Sequence, residues 1–310
     1  MPALITHHIF GEDVVGTLPA GMVDTEEELL AFLLGNQGPD PLFARVSALP
    51  ATGRACRRLA GKIQGELTTR AFMAVRDGVS HLPVPDERVG RAFSFGLLAH
   101  FALDCTAHPF VIGQVRALAE ADPSLAPARR EVHALVESDL DSWILWEKRR
   151  ATVRERPAAS NLMRTERVER VAGALFSQMA LSVYGIAIGA GEYAGAVRDY
   201  ELVYRAVDPA GSVRARALGA AERLVRGRSF AQALAHYVRR DGECPAANLE
   251  RRAWRDPFTG TVRHESFADL FDEATLLYPR LAEAFARGDE KRLRALVAGR
   301  NYGGRPGMDA

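Results

Sequence analysis

Cysteine is scarce in this chain, with only Cys56, Cys105 and Cys244 in 310 residues, far apart and without a CxxC pair. That pattern argues against a disulfide framework and a thiolate zinc site, and the expectation is reduced, partly buried thiols. Net charge is almost absent as well, Lys+Arg 40 against Asp+Glu 39, so nothing advertises nucleic acid or an anionic membrane as a partner. The longest weakly polar stretch, 175–197, is interrupted by Gln178 and Glu192 and diluted by Gly185, Gly189, Gly191 and Gly195. Its small-residue spacing could suit a membrane helix pair, but its apolar run falls short of the ~20 residues of a full span, and a buried bundle helix is preferred. The N-terminus MPALITHHIFGEDVVG has neither a basic start nor an apolar core of signal-peptide length, so the expected compartment is the cytoplasm. Internal repeats and low-complexity segments are also missing, and alternating β-type segments are scarce.

What remains is an ordinary globular composition, 47% hydrophobic and 25% charged, in a chain long enough to bury a substantial core. Segment 23–34 (VDTEEELLAFLL) offers Asp24 or Thr25 as N-cap, an acidic first turn and an apolar stripe, and reads as a helix ending at Gly35. The following NQGPDPL is a turn-rich break that places Asp40 on a loop. Helical patterns then run over 53–77, 89–108 (stopped by Pro109), 128–149, 165–197, 213–239 and 267–298. The irregular stretch 242–264 is read as a long ordered loop anchored by Trp254 and Phe258. The expected fold is mostly helical and treated as a single domain over 1–310.

The chemistry-bearing segment is GLLAHFALDCTAHP (96–109), with His100, Asp104 and His108 spaced four apart. Four-residue steps drift only about 40° each on a helix, so all three share one face. HALVE then supplies His133 and Glu137, again four apart. Facing helices carrying such pairs are how bundles assemble metal sites, and imidazole with carboxylate suits zinc best, with manganese or iron possible. A lone histidine on an apolar face is more often a hydrogen-bonded core residue, and the neighbouring Asp139 and Asp141 can be read as solvated. The ensemble weighs the other way, because burying His and Asp unpaired in FSFGLLAHFAL would be costly and metal ligation answers that cost. His7 and His8 are adjacent and diverge, so at most one points into a shared site. Trp143 and Trp146 are read as core or cleft wall, His264 as structural, and His236 as a surface or helix-end residue.

THHIFGEDV (6–14), LGNQGPDPLF (34–43), GLLAHFALDCTAHPF (96–110), HALVESDLDSWIL (133–145) and, less sharply, AWRDPFTGTVRHESFADLFDEA (253–274) together resemble the zinc-dependent phospholipase C family of bacteria, in its cytosolic type. The resemblance implies an all-α bundle with two or three zinc ions at the bottom of a cleft. It implies His7 as the N-terminal ligand, Asp40 as a ligand contacting the attacking water and as general base, and His100 with Asp104 as the next pair, Asp104 bridging two ions. His108, His133 and Glu137 match the ligands of the remaining ion. The implied reaction is hydrolysis of a small phosphodiester or phospholipid by zinc-activated water.

Two departures stand against it. The family carries a further histidine ligand between Asp40 and His100, and here RLAGKIQGEL puts Gln64 or Gly65 at that place. The one histidine in the interval, His81, lies in a Pro-bearing loop. Secreted members also use a processed N-terminal residue, whereas this chain starts Met-Pro. Two alternatives therefore stay open: a degenerate, non-catalytic metal-binding protein, and a nuclease-like phosphodiesterase on the same scaffold.

Overall fold

The computed structural model describes residues 4–308. Among them lie twelve α-helices and one two-stranded ribbon, so the mostly helical expectation holds. The helices are α1 (Leu4–Val14), α2 (Glu26–Gly35), α3 (Pro50–Gly65), α4 (Thr68–Ser80), α5 (Glu87–Ala121) and α6 (Arg129–Arg149). They continue with α7 (Glu166–Tyr184), α8 (Gly191–Val207), α9 (Val213–Arg226), α10 (Phe230–Leu234), α11 (Phe267–Arg287) and α12 (Glu290–Val297). β1 (Trp254–Arg255) and β2 (Val262–Arg263) pair antiparallel, Trp254 opposite Arg263, inside the stretch expected to be loop.

α5 is the axis of the bundle. Every residue from 92 to 107 is buried, as befits a helix that is apolar all round. The helical stretch 84–121 is long and apolar enough to cross a membrane, but 89% of its most apolar window is covered by the rest of the protein. α2 and α11 pack most extensively against it. At the α2 crossing the backbones touch: a Cβ on Gly96 would overlap the Phe32 carbonyl oxygen and lie 2.7 Å from the Asn36 amide nitrogen. This close approach brings the loop after α2 onto His100, one turn along α5. Thr25 caps α2 in a reciprocal box with Glu28, choosing between the two caps the sequence offered.

Several helix boundaries differ from expectation, each for a reason outside the local sequence. α5 runs through Pro109 instead of stopping there. The proline costs one backbone bond, but burial of Phe110 and Val111 beyond it keeps the helix going. The segment 53–77 breaks into α3 and α4 at Leu67, which takes a left-handed φ of 56° while its amide donates to the Met308 carbonyl. Patterns 165–197 and 267–298 each split into two helices after Gly185 and Gly288, both in the left-handed conformation of a C-terminal cap. Pattern 213–239 divides into α9 and α10 and then leaves helix altogether.

Two side chains expected at the surface lie in the core. Asp141 is fully buried on α6 and accepts from the Ile5 amide at 2.9 Å, the Thr6 amide at 2.8 Å, Thr6 Oγ1 at 2.6 Å and His236 Nε2 at 3.1 Å. His236, fully buried too, turns its other nitrogen to Asp208 Oδ2 at 2.9 Å and stacks on Tyr204. The solvated reading of Asp141 and the surface reading of His236 are thus both corrected. Each group is the other's compensation, and the amides satisfied are those that open α1. Burial disfavours the imidazolium, but Asp208 and Asp141 outweigh it and push the His236 pKa up to about 10.

Two measurements check this account. Gly96→Ala must separate the α2 and α5 backbones, and should lower stability by roughly 1–3 kcal/mol in urea unfolding. His236, raised to about 10 from 6.5, binds a proton in the folded state that the unfolded chain releases. Its contribution is complete below pH 6.5 and is lost as pH rises through about 10. The melting temperature should therefore fall across that window more steeply in wild type than in His236→Gln.

Candidate metal centre

Three elements deliver the ligand-type side chains. α1 contributes His7, while its neighbour His8 turns to Glu12 at 3.4 Å, so only one of the adjacent histidines points inward, as expected. α5 contributes His100, Asp104 and His108 from one face, and α6 contributes His133 and Glu137. The side chains gather into two groups, His7 with His100 and Asp104, and His108 with His133 and Glu137. Within each group the ligand-type atoms lie within 4.8 Å of one another.

In the first group His7 Nε2 is 3.1 Å from Asp104 Oδ1, and His100 Nε2 is 3.1 Å from Asp104 Oδ2. The His7 and His100 rings stack with centroids 4.0 Å apart. His108 Nδ1 also reaches this carboxylate, at 3.3 Å from Oδ1. In the second group Glu137 Oε1 lies 3.2 Å from His108 Nε2 and 3.0 Å from His133 Nε2. A tetrahedral ion with bonds of about 2.0–2.1 Å has edges of roughly 3.3 Å, and the histidine-to-carboxylate contacts within each group lie close to that.

Tautomers follow from the outer partners. His100 Nδ1 lies 3.1 Å from the Asn36 carbonyl and His108 Nδ1 lies 3.2 Å from the Tyr302 carbonyl. A carbonyl only accepts, so each Nδ1 carries the proton and each Nε2 presents a lone pair to a carboxylate. Such an encounter needs a cation between the partners. His100 Nε2, Asp104 Oδ2, Glu137 Oε2 and His7 Nδ1 have no hydrogen-bond partner despite full burial of those atoms. Either protons or metal ions supply the missing charge, and the two compete.

Without metal the protons take the role. Burial opposes charge on every member, and the pairings decide the outcome. His108 is pushed up to about 9 by Asp104 and Glu137, against its own desolvation. His100 is raised against desolvation by Asp104, whereas His7 is lowered by desolvation and by the charge of His100. Asp104 and Glu137 are held well below the ordinary carboxylate range despite desolvation, the first chiefly by His108 and His100, the second by His133.

Asp40, the predicted base, opens a 3-10 turn (Asp40–Ala44) and is buried. It belongs to neither group of three, but lies near enough for its charge to raise His7 and His100. Its Oδ1 accepts from Gln64 Nε2 at 2.7 Å. Position 64 therefore carries the inward-facing side chain of that helix end, where the resemblance expects histidine. His81 stands exposed at the end of α4 beside Asp77, outside both groups. Trp143 is core and donates to the Gly242 carbonyl. The three cysteines are free and buried, as expected.

Sequence reasoning did not assign Asn36 and Tyr302 as the residues that set the imidazoles. Asn36 also donates to the His7 carbonyl, and Gln37 Nε2 to the Leu4 carbonyl, so the GNQGPD loop holds α1 and α5 together. Its polar run carried that signal; Tyr302, nearly two hundred residues beyond His108, carried none. Two cavities flank the centre. One, of about 460 Å³, is bordered by Asp40 and by Phe43, Leu202, Val203 and Phe230. The other, of about 400 Å³, is bordered by His133, Glu137 and Arg116, Arg129 and Arg130.

No protein family, curated protein or solved structure matches this chain. The reading of the centre therefore stands on its geometry. Protein refolded with excess Zn²⁺ and desalted should retain about one equivalent or more by elemental analysis. Glu137→Ala with His133→Ala should remove the ion of the second group. Relative to a metal concentration near a thousand times Kd, chelation should remove up to about 4 kcal/mol of wild-type stability, read as a lower melting temperature.

Proposed function

We propose that this protein is a metal-dependent phosphodiester hydrolase, phospholipase C-like in chemistry, with zinc as its ion. The observation that carries the reading is the convergence of two histidine-rich ligand groups on Asp104 and His108 beside a buried carboxylate, Asp40, at the edge of a largely apolar cavity. His7, His100 and Asp104 would hold one ion, and His108, His133 and Glu137 another. Imidazole and carboxylate donors in a closely spaced pair favour zinc, with manganese or iron as the nearest competitors. When bound, such ions lower the pKa of water and offset the charge that develops on phosphoryl oxygens.

The chain's own residues supply the rest. The Asn36 and Tyr302 carbonyls fix His100 and His108 as Nε2 donors, so the site is organised before substrate arrives. Asp104 meets both histidine-rich groups, which suits a carboxylate shared between them. Asp40, oriented by Gln64, is the candidate to accept a proton from the attacking water. The cavity beside it has Phe43, Leu202, Val203 and Phe230 in its wall, suited to an acyl or other apolar ester arm.

A second reading, metal binding without turnover, is favoured by Gln64 occupying the place of an expected ligand and engaging Asp40. The two separate on substitution. Zinc-loaded wild type should hydrolyse phosphodiesters in a chelator-sensitive way, and Asp40→Asn should lower kcat by roughly 10²–10⁴ while the ion of the His133 group is kept. Gln64→His should tighten binding at the His100 group. An inactive wild type rescued by Gln64→His would instead establish the second reading.

A further inference from the structure

α9 turns an apolar face away from the protein. Its inward contacts come from Ala215, Gly219 and Glu222, which share one side of the helix. A Cβ on Gly219 would overlap the Gln232 side chain, and Glu222 bonds Ser229 Oγ and the Ala231 amide. On the opposite side stand Val213, Ala217, Ala220, Ala221 and Leu224, at the i, i+4, i+7, i+8, i+11 spacing of a single stripe. A surface helix ordinarily turns such a stripe to the core. Here all five residues are exposed, Val213 at 75% and Leu224 at 89%.

The charges beside the stripe have one sign. Arg216 and Arg223 lie about a quarter turn to one side of it and Arg214 about a quarter turn to the other. All three are exposed, as is Arg228 just past the helix, while Glu222 faces inward. An anionic bilayer surface matches both features, because it takes up the apolar side chains while the long arginines reach back to the phosphate headgroups. A second copy of the chain fits less well. Two-fold pairing would lay stripe on stripe and set arginine against arginine, with no exposed acid on α9 to meet them. The near-zero net charge of the whole chain does not oppose the bilayer, since screening confines the attraction to charges within about 10 Å of it.

The apolar surface continues to the cavity that Asp40 borders. Leu218, on the flank of α9, lines that cavity together with Val46 and Leu202, and all three are exposed. Val225, 84% exposed, extends the patch beside Leu218. We propose that α9 docks the protein on an anionic lipid bilayer, with Val213 and Leu224 inserted below the headgroups and the mouth of the apolar cavity held against the surface. A lipid could then pass its apolar arm into the cavity without that arm crossing water. This last step rests on the hydrolase reading; the docking does not.

The test is co-sedimentation of the full-length protein with vesicles of phosphatidylcholine alone and with about 30% phosphatidylserine added. Wild type should bind the anionic vesicles, and less tightly as salt is raised. Val213→Ser with Leu224→Ser should lower the partition coefficient by roughly 10- to 100-fold. The melting temperature should stay unchanged, because both side chains project into solvent. Arg214→Gln with Arg216→Gln should cost roughly 10-fold on the anionic vesicles and little on the neutral ones. Hydrolysis of a water-soluble phosphodiester by zinc-loaded protein, which the serine pair should leave unchanged, reads the catalytic proposal separately. Its absence removes the hydrolase reading and leaves the docking. Failure of wild type to bind anionic vesicles, or binding indifferent to the serine pair, overturns the docking and leaves the hydrolase reading. Wild-type dimers that the serine pair dissociates would assign the stripe to a second copy and overturn the docking as well.

Discussion

Asp104 and Glu137 are buried carboxylates whose ionic partners, among the described residues, are all histidines. Asp141 too is met by a histidine, the single His236, but several other buried carboxylates are handled differently. Glu28 and Asp199 are each met by an arginine, and Asp86 by two. Arginine gives permanent compensation, because it never loses its proton. Histidine gives a compensation that can be exchanged, since its proton can leave and its lone pair can take a metal ion. The gathering of several imidazoles around each of these two carboxylates therefore separates the centre from the arginine pairs and from the single-histidine pairing of Asp141.

The bundle is arranged to keep that exchangeable cluster dry and aligned. α5 can carry three polar ligand-type residues through the core because its remaining faces are covered, and because α2 crosses it with backbones in contact at Gly96. The crossing places the Asn36 carbonyl against His100. The stretch after α12 closes the other end, where the Tyr302 carbonyl meets His108 and its amide meets the Gln64 carbonyl. One short segment thus touches both the ligand helix and the helix end that carries the departure from the resembled pattern. Burial, tautomer and register are set by the same few contacts.

Much of the centre was legible in the order of residues, because its ligands recur at helical spacing on two strongly helical segments. His100, Asp104 and His108 share a face for geometric reasons that need no partner, and the same holds for His133 and Glu137. His236 and Asp141 were misread for the opposite reason. Their burial depends on each other across 95 residues, and on amides at Ile5 and Thr6, so no local pattern announces it. Helix ends divide along the same line. Thr25 and Glu28 announce a start, while the break at Leu67 is held by the far end of the chain through Met308. Pro109 is a strong local signal overruled by packing.

The anchoring of α1 on Asp141 sets an order on assembly. The helix that carries His7 has its opening amides satisfied by a residue 136 positions later, whose own charge is balanced by His236. Contacts of such sequence separation form late, since a long loop must close before they are rewarded. During synthesis α1 cannot be anchored in this way until Asp141 and His236 have emerged. Until then, the ligand groups of α5 and α6 lie open on one side, and the centre becomes complete only when the molecule as a whole is folded.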